Sequence, residues 1–228
     1  MDFFPAYTEQ GTGEPLLLLH GNGESKEYFD AQISAFAAHF RVIAVDSRGH
    51  GASPMGTAPF TLSQFADDLY AFLCHKGIRR AHILGFSDGG NVAVLFALRH
   101  PDMVDRLVLG GANLRFSGLV RSCRRWICRA LRDARIRERR MGEDTKKEQL
   151  LLLLMRREPN LPLRALGGIP APTLVLLGTK DLIRRSHGRQ MARHLPCGTY
   201  AELAGGHAVA RENPAAYNRR VLAFLLSE

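Results

Sequence analysis

Cysteine is scarce. The four residues Cys74, Cys123, Cys128 and Cys197 in a chain of 228 form no C-x-x-C pair, so neither a disulfide scaffold nor a zinc-type site is expected. Reduced thiols in a cytoplasmic protein fit best. Long apolar runs are also lacking: stretches such as Leu150 to Met155 fall far short of the roughly 20 residues that span a bilayer. Met1 to Gln10 has neither the basic start nor the apolar run of a secretory signal. The expectation is a soluble, intracellular chain. With 8% aromatic and 23% charged residues and no internal repeat, the disordered, collagen-like and coiled-coil classes are excluded. Hydrophobic content of 46% suffices for one sizeable core.

Positive charge is what the chain has in excess, and it is unevenly placed. The formal charge is +9. Between Arg115 and Arg164 there are 15 basic and 6 acidic residues, and the remaining 16 basic and 16 acidic residues cancel. Suspicion of an anionic partner therefore attaches to one segment. No nucleic-acid-binding motif accompanies it, and no nucleic-acid partner is expected.

Short β-rich runs recur at Leu16 to Leu19, Val42 to Val45, His82 to Gly85, Leu107 to Leu109, Thr173 to Leu177 and, more weakly, Thr199 to Leu203. Helical patterns lie between them: Tyr28 to Phe40, Leu62 to Cys74 with Thr61 as N-cap, and a last helix opened by Asn213 and Pro214 and running through Leu225. This alternation predicts an α/β fold with a doubly wound, mostly parallel sheet covered on both faces. The alternation stops after Gly111 and resumes at Pro172. We expect residues 1–114 and 165–228 to form the core and residues 115–164 a helical insertion. Within it Leu119, Val120, Cys123, Trp126, Ile127, Ala130 and Leu131 mark one helical face. Arg121, Arg125, Arg129 and Arg132 mark the other. A second helix is expected from Thr145, where Thr145 and Glu148 have capping-box spacing.

The chemistry-bearing motif is Gly85-Phe86-Ser87-Asp88-Gly89, a G-x-S-x-G pentapeptide between a strand and a helix beginning near Asn91. Such a turn holds its serine in a strained conformation and needs small neighbours, which makes Ser87 the candidate nucleophile. The plainer alternative is a serine that only caps the helix. A serine hydroxyl needs a base, and the base an acid to orient it. Asp181 in Gly178-Thr179-Lys180-Asp181 and His207 in Gly205-Gly206-His207 both follow strands and complete the order Ser, Asp, His. Their plainer alternatives are a helix N-cap and a loop histidine. His187 is nearer to Asp181 in sequence but is expected on a solvated helix face. His75, His82, His100 and His194 read as structural. Oxyanion donors are expected from the backbone N–H groups of Asp88 and of Asn22 in His20-Gly21-Asn22-Gly23. The Asp88 side chain reads as a helix-start carboxylate whose charge would disfavour anionic substrates, and Glu24 and Ser25 as a solvated loop, with a place at the mouth of the site as the alternative.

These motifs, with the turn Asp46-Ser47-Arg48-Gly49-His50-Gly51, resemble the α/β-hydrolase superfamily in family order across nearly the whole chain outside Arg115 to Arg164. The resemblance implies a structural role for the Asp46 to Gly51 turn and a lid role for residues 115–164. Members commonly begin with an extra hairpin, whereas only Phe3 to Gln10 precedes Gly11-Thr12-Gly13 here, which predicts a missing first edge strand. The expected activity is a cofactor-independent serine hydrolase acting on a small-molecule carboxylic ester or thioester. Alternatives are C–C bond hydrolysis, perhydrolysis or lyase chemistry on the same triad, and a non-catalytic binding protein. Contact of the basic helix with a membrane or other anionic surface is a less favoured expectation.

Overall fold

The structure, a computed structural model, describes residues 3–227. Seven strands form one sheet: β1 (Tyr7–Gln10), β2 (Pro15–Leu19), β3 (Arg41–Val45), β4 (Ala81–Phe86), β5 (Val104–Gly110), β6 (Thr173–Gly178) and β7 (Gly198–Leu203), in the order β1-β3-β2-β4-β5-β6-β7. All neighbours are parallel except β1, which pairs antiparallel with β3 from Tyr7 opposite Val45 to Gln10 opposite Val42. Among the described residues the first strand of the expected hairpin is missing, as the sequence suggests, and the sheet edge is formed by the single strand β1. Its polar sequence Tyr7-Thr8-Glu9-Gln10 hides the signal, because an edge strand with exposed side chains needs no apolar run.

Period-two alternation explains how the continuous apolar strands serve two layers. On β2, Leu17 and Leu19 face the core beneath α2 (Leu62–His75), α3 (Asp88–Arg99) and α6 (Arg185–His194). Leu16 and Leu18 face the opposite core beneath α1 (Asp30–Ala37) and α8 (Pro214–Leu225), which contribute Phe36, Tyr217 and Val221. All four leucines are buried. The short helix α7 (Val209–Glu212) precedes α8.

The chain order creates a switch point. From β2 the chain crosses to β3 on one side, then returns past β2 to β4 on the other. The loops after β2 and β4 thus diverge and leave a crevice at the carboxyl end of the sheet, the usual location of sites in open α/β sheets. Nearby, the Asp46 to Gly51 turn is held by buried polar groups. Arg48 is fully buried and its guanidinium donates to both Asp68 oxygens at 2.8 and 2.7 Å. Asp46 accepts from the backbone N–H groups of Lys26 and Ala52.

Between β5 and β6 the chain forms a helical hairpin, α4 (Arg121–Met141) and α5 (Lys146–Arg157). Cys123, Ile127, Leu131 and Ala134 of α4 are buried, and the hairpin shares a core with Leu177 and Ile183 of the sheet domain. Trp126, expected on the buried face, is 57% exposed. The buried stripe follows i, i+4, i+8 and i+11 from Cys123, and position 126 lies at its flank. The Thr145 and Glu148 capping box is also not formed. Thr145 Oγ1 donates instead to the Ala134 carbonyl, and Glu148 pairs with Arg137, because both face α4 across the hairpin. Among the described residues no helix is long and apolar enough to cross a membrane.

At the start of α2, Thr61 Oγ1 accepts the Gln64 N–H at 3.1 Å, the expected N-cap. Replacing Thr61 by Ala removes this acceptor and is expected to lower stability by about 1 kcal/mol, read as a lower urea midpoint; an unchanged midpoint would contradict the cap.

Candidate active site

Ser87 sits between β4 and α3 with φ 52° and ψ −117°, a region that non-glycine residues rarely adopt. The strain is held by backbone packing on both sides. A Cβ on Gly85 would lie 2.4 Å from the Gly89 carbonyl oxygen, and one on Gly89 would lie 2.1 Å from the Leu19 carbonyl oxygen. Only glycine allows the elbow to press against the end of β2. The Ser87 N–H donates to the Gly110 carbonyl at 2.8 Å, fixing the turn to β5 as well. The serine side chain makes no capping bond to α3, which disposes of the simple capping alternative.

The loops after β6 and β7 bring Asp181 and His207 to the same place. Asp181 is buried and anchored by the N–H groups of Gly178 and Ile183, at 3.0 and 2.9 Å. His207 Nδ1 lies 2.7 Å from Asp181 Oδ1, and its Nε2 lies 3.1 Å from Ser87 Oγ. A carboxylate can only accept, so Nδ1 carries the proton and Nε2 is free to accept from the serine hydroxyl. Phe86 packs on the His207 ring, with centroids 5.0 Å apart, and stacks on Tyr28 from its other neighbours.

Asn22 and Asp88 also meet. Among the described residues neither backbone N–H has an acceptor within the chain, and Asp88 opens α3, where such N–H groups are free. Their side chains, whose contact is not legible in the sequence, belong to a buried polar chain. Asn22 Nδ2 donates to Asp88 Oδ2 at 2.8 Å and to the Leu151 carbonyl of α5 at 3.1 Å. Asn91 Nδ2 donates to Asp88 Oδ1 at 3.1 Å, and Asn91 Oδ1 accepts the Asn113 N–H at 3.0 Å. The Asp88 carboxylate is thus buried rather than merely placed at a helix start. Burial raises its pKa, opposed by the amide donors of Asn22 and Asn91. Glu24 is likewise not a freely solvated loop residue: burial raises its pKa, and among the described residues its Oε2 has no hydrogen-bond partner.

A cavity above Ser87 is lined by Ser87, His207, Asn113, Leu119, Cys123 and Met155, among others. Its volume is about 20 Å³, room for roughly one water. Cys123 and Met155 come from α4 and α5, so the hairpin roofs the cavity.

His187 corrects a sequence expectation. Rather than facing solvent, it is buried, and its Nε2 accepts the Leu114 N–H at 3.1 Å. It packs under the turn Phe116–Gly118 that leads into α4, so a polar residue in an arginine-rich helix hides a core role. His20 is buried in a comparable way: Nδ1 donates to the Gly21 carbonyl at 2.8 Å and Nε2 accepts the Ser47 N–H at 3.0 Å. Neither ring is placed as the base.

The family model described as alpha/beta hydrolase fold matches residues 14–122. RutD of Yersinia enterocolitica, a proposed carbamate hydrolase by its name, is 30% identical, with 93% of this chain and 87% of that protein covered. A hydrolase from Pseudomonas aeruginosa superposes with a TM-score of 0.81 at 29% identity, covering 99% of this chain and 95% of the other. A thermophilic esterase from Thermogutta terrifontis gives 0.80 at 26% identity, covering 98% and 93%. With its switch-point crevice and strained serine, the chain belongs to the α/β-hydrolase superfamily and is a hydrolase of that fold.

Burial holds His20 and His187 down to about 4, with the charges of Arg184 and Arg115 adding to the effect at His187. Both imidazoles are neutral in the folded state above that pH, whereas unfolded histidine protonates below about 6.5. Their contribution to stability is therefore full above pH 6.5 and is lost as the pH falls toward 4. Urea midpoints are expected to fall between pH 7 and pH 4.5, and His187→Gln, which can still accept the Leu114 N–H, is expected to show the shallower slope. Parallel slopes for the two proteins would contradict the buried neutral histidine.

Proposed function

We propose that this protein is a serine hydrolase that cleaves a small carboxylic ester or thioester through an acyl-enzyme. The observation that carries the reading is the relay from Ser87 Oγ through His207 to Asp181, at 3.1 and 2.7 Å. Ser87 attacks the substrate carbonyl as His207 Nε2 takes its proton, and Asp181 holds the ring in the correct tautomer and stabilises the imidazolium. The N–H groups of Asn22 and Asp88 take the developing oxyanion. His207 then returns the proton to the leaving group and activates the water that releases the acid. Each step is served by side chains and backbone N–H groups of this chain, so no cofactor enters.

Residues 115–164 act as the lid in this reading. A cavity with space for about one water cannot admit an acyl chain until α4 and α5 yield, and the Asn22 bond to the Leu151 carbonyl ties that movement to the oxyanion loop. The Asp88 carboxylate beside the nucleophile, together with the partly buried Glu24, favours uncharged acyl groups. A carbamate, the substrate class in the name given to RutD, presents an equivalent carbonyl to the same relay.

Ser87→Ala is expected to abolish labelling by a fluorophosphonate probe and to reduce turnover of p-nitrophenyl esters by at least about a thousandfold. A folded Ser87→Ala protein that still reacts with the probe would overturn the nucleophile. A wild-type protein that turns over vinylogous diketones but no ester, thioester or carbamate would retain Ser87 and overturn the bond assigned to it.

Met155 sets the length of the acyl site in this reading, since its half-buried side chain closes the cavity from α5. Met155→Ala is expected to raise kcat/KM for a butyrate ester relative to an acetate ester by about tenfold. A ratio unchanged from wild type would remove Met155 from the substrate path.

A further inference from the structure

The outer face of α4 is the largest feature that the proposed reaction leaves unused. Its arginines 121, 125, 129, 132, 139 and 140 are all exposed. At 1.5 Å per residue they extend over about 29 Å of helix. Among the described residues only Arg132 of these six has a carboxylate within ion-pair distance, Asp133 at 3.4 Å. Nine arginines against Asp133 and Glu138 on one helix repel one another in the isolated chain. Asp133 apart, no carboxylate among the described residues pairs with this stripe, which complements a dense array of anionic groups.

One apolar side chain, Ile136, 42% exposed, stands among these guanidinium groups, and Trp126, 57% exposed, lies at their flank. Ile136 lies on the arginine face itself, at i+4 from Arg132, i+7 from Arg129 and i+11 from Arg125. Near the start of the helix, Phe116 and the arginines enclose a shallow groove of about 510 Å³. A phosphodiester backbone would use the charges and leave Ile136 and Trp126 wet, whereas a bilayer uses both kinds of group, phosphates for the arginines and the acyl boundary for the apolar residues. The opposite face of the same helix places Cys123 in the cavity above Ser87.

We propose that the arginine face of α4 is a docking surface for an anionic phospholipid membrane, seating the roof of the Ser87 cavity against lipid. The helix lies in the interface plane and does not cross it. Docking rests on charge and exposure alone and holds whichever bond the site cleaves.

Trp126 is the only tryptophan of the chain, so the unmodified protein reports its own docking. With vesicles of phosphatidylcholine and phosphatidylglycerol at low salt, Trp126 emission is expected to shift to the blue and to become protected from acrylamide, and the protein to co-sediment. High salt is expected to release it. Vesicles of phosphatidylcholine alone are expected to leave it free. The triple variant Arg121→Glu, Arg125→Glu, Arg129→Glu, shown to be folded by its circular dichroism and thermal melt, is expected to bind anionic vesicles at least about a hundredfold more weakly. No binding to anionic vesicles at low salt would overturn the proposal, as would equal binding to neutral vesicles or equal binding by the folded triple variant. Tighter retention by single- or double-stranded RNA than by anionic vesicles at the same salt would assign the face to nucleic acid instead.

Discussion

The backbone of the Ser87 elbow and the end of β2 approach so closely that no side chain fits between them, and much of the site follows from that contact. Gly89 lies against the Leu19 carbonyl, and Gly85 lies against Gly89 in turn. The contact holds Ser87 at φ 52° at the start of α3, where its hydroxyl meets His207. A looser elbow would relax to an ordinary helix start, and Ser87 would become a cap. The strain, of the order of 1 to 3 kcal/mol in such sites, is offset by the strands on both sides, since β4 is buried along its whole length.

The second constraint is electrostatic and belongs to the hairpin. Buried carboxylates at Asp88 and Asp181 are both tied by donors, but in different ways. Asp181 takes backbone N–H groups from its own loop and the imidazole N–H. Asp88 takes side-chain amides, one of which also holds the Leu151 carbonyl. The first carboxylate is fixed locally and suits a constant orienting role. The second is linked through Asn22 to the Leu151 carbonyl, so the loop after β2 is tied to α5 of the hairpin. The arginines of α4 stay outside this network, facing away from both carboxylates.

Much of the sheet was legible because its central strands are buried on both faces and must be nearly continuous in Leu, Val and Ile. β1 was not, because an edge strand gains its order from hydrogen bonds to β3 rather than from apolar side chains. Ser87, Asp181 and His207 were legible because each sits beside glycine or a strand end, positions that leave a pattern along the chain. His187 and Trp126 were misplaced for a shared reason. Each lies on a helix where polarity or apolarity predicts one face, and the neighbouring segment decided otherwise: the Gly118 turn covers His187, and the buried stripe of α4 passes beside Trp126. Asn22, Asn91 and Asn113 carry no local signal, since an asparagine in a loop or helix has the same letter whether it faces solvent or a buried carboxylate.

By itself the sequence determined the class of fold, the succession of its buried strands and the helices between them, the candidate serine, acid and base, and the confinement of the positive charge to residues 115–164. These depend on local periodicity and on turn chemistry, which are written in consecutive residues. The tertiary structure alone decided that Asn22 joins Asp88 to the hairpin, that His187 is buried and that Cys123 of α4 and Met155 of α5 line the cavity over Ser87. It also decided that, among the described residues, Arg121, Arg125, Arg129, Arg139 and Arg140 of α4 have no carboxylate within ion-pair distance. Each of these is a contact between segments far apart in the chain, and only packing determines which distant groups meet.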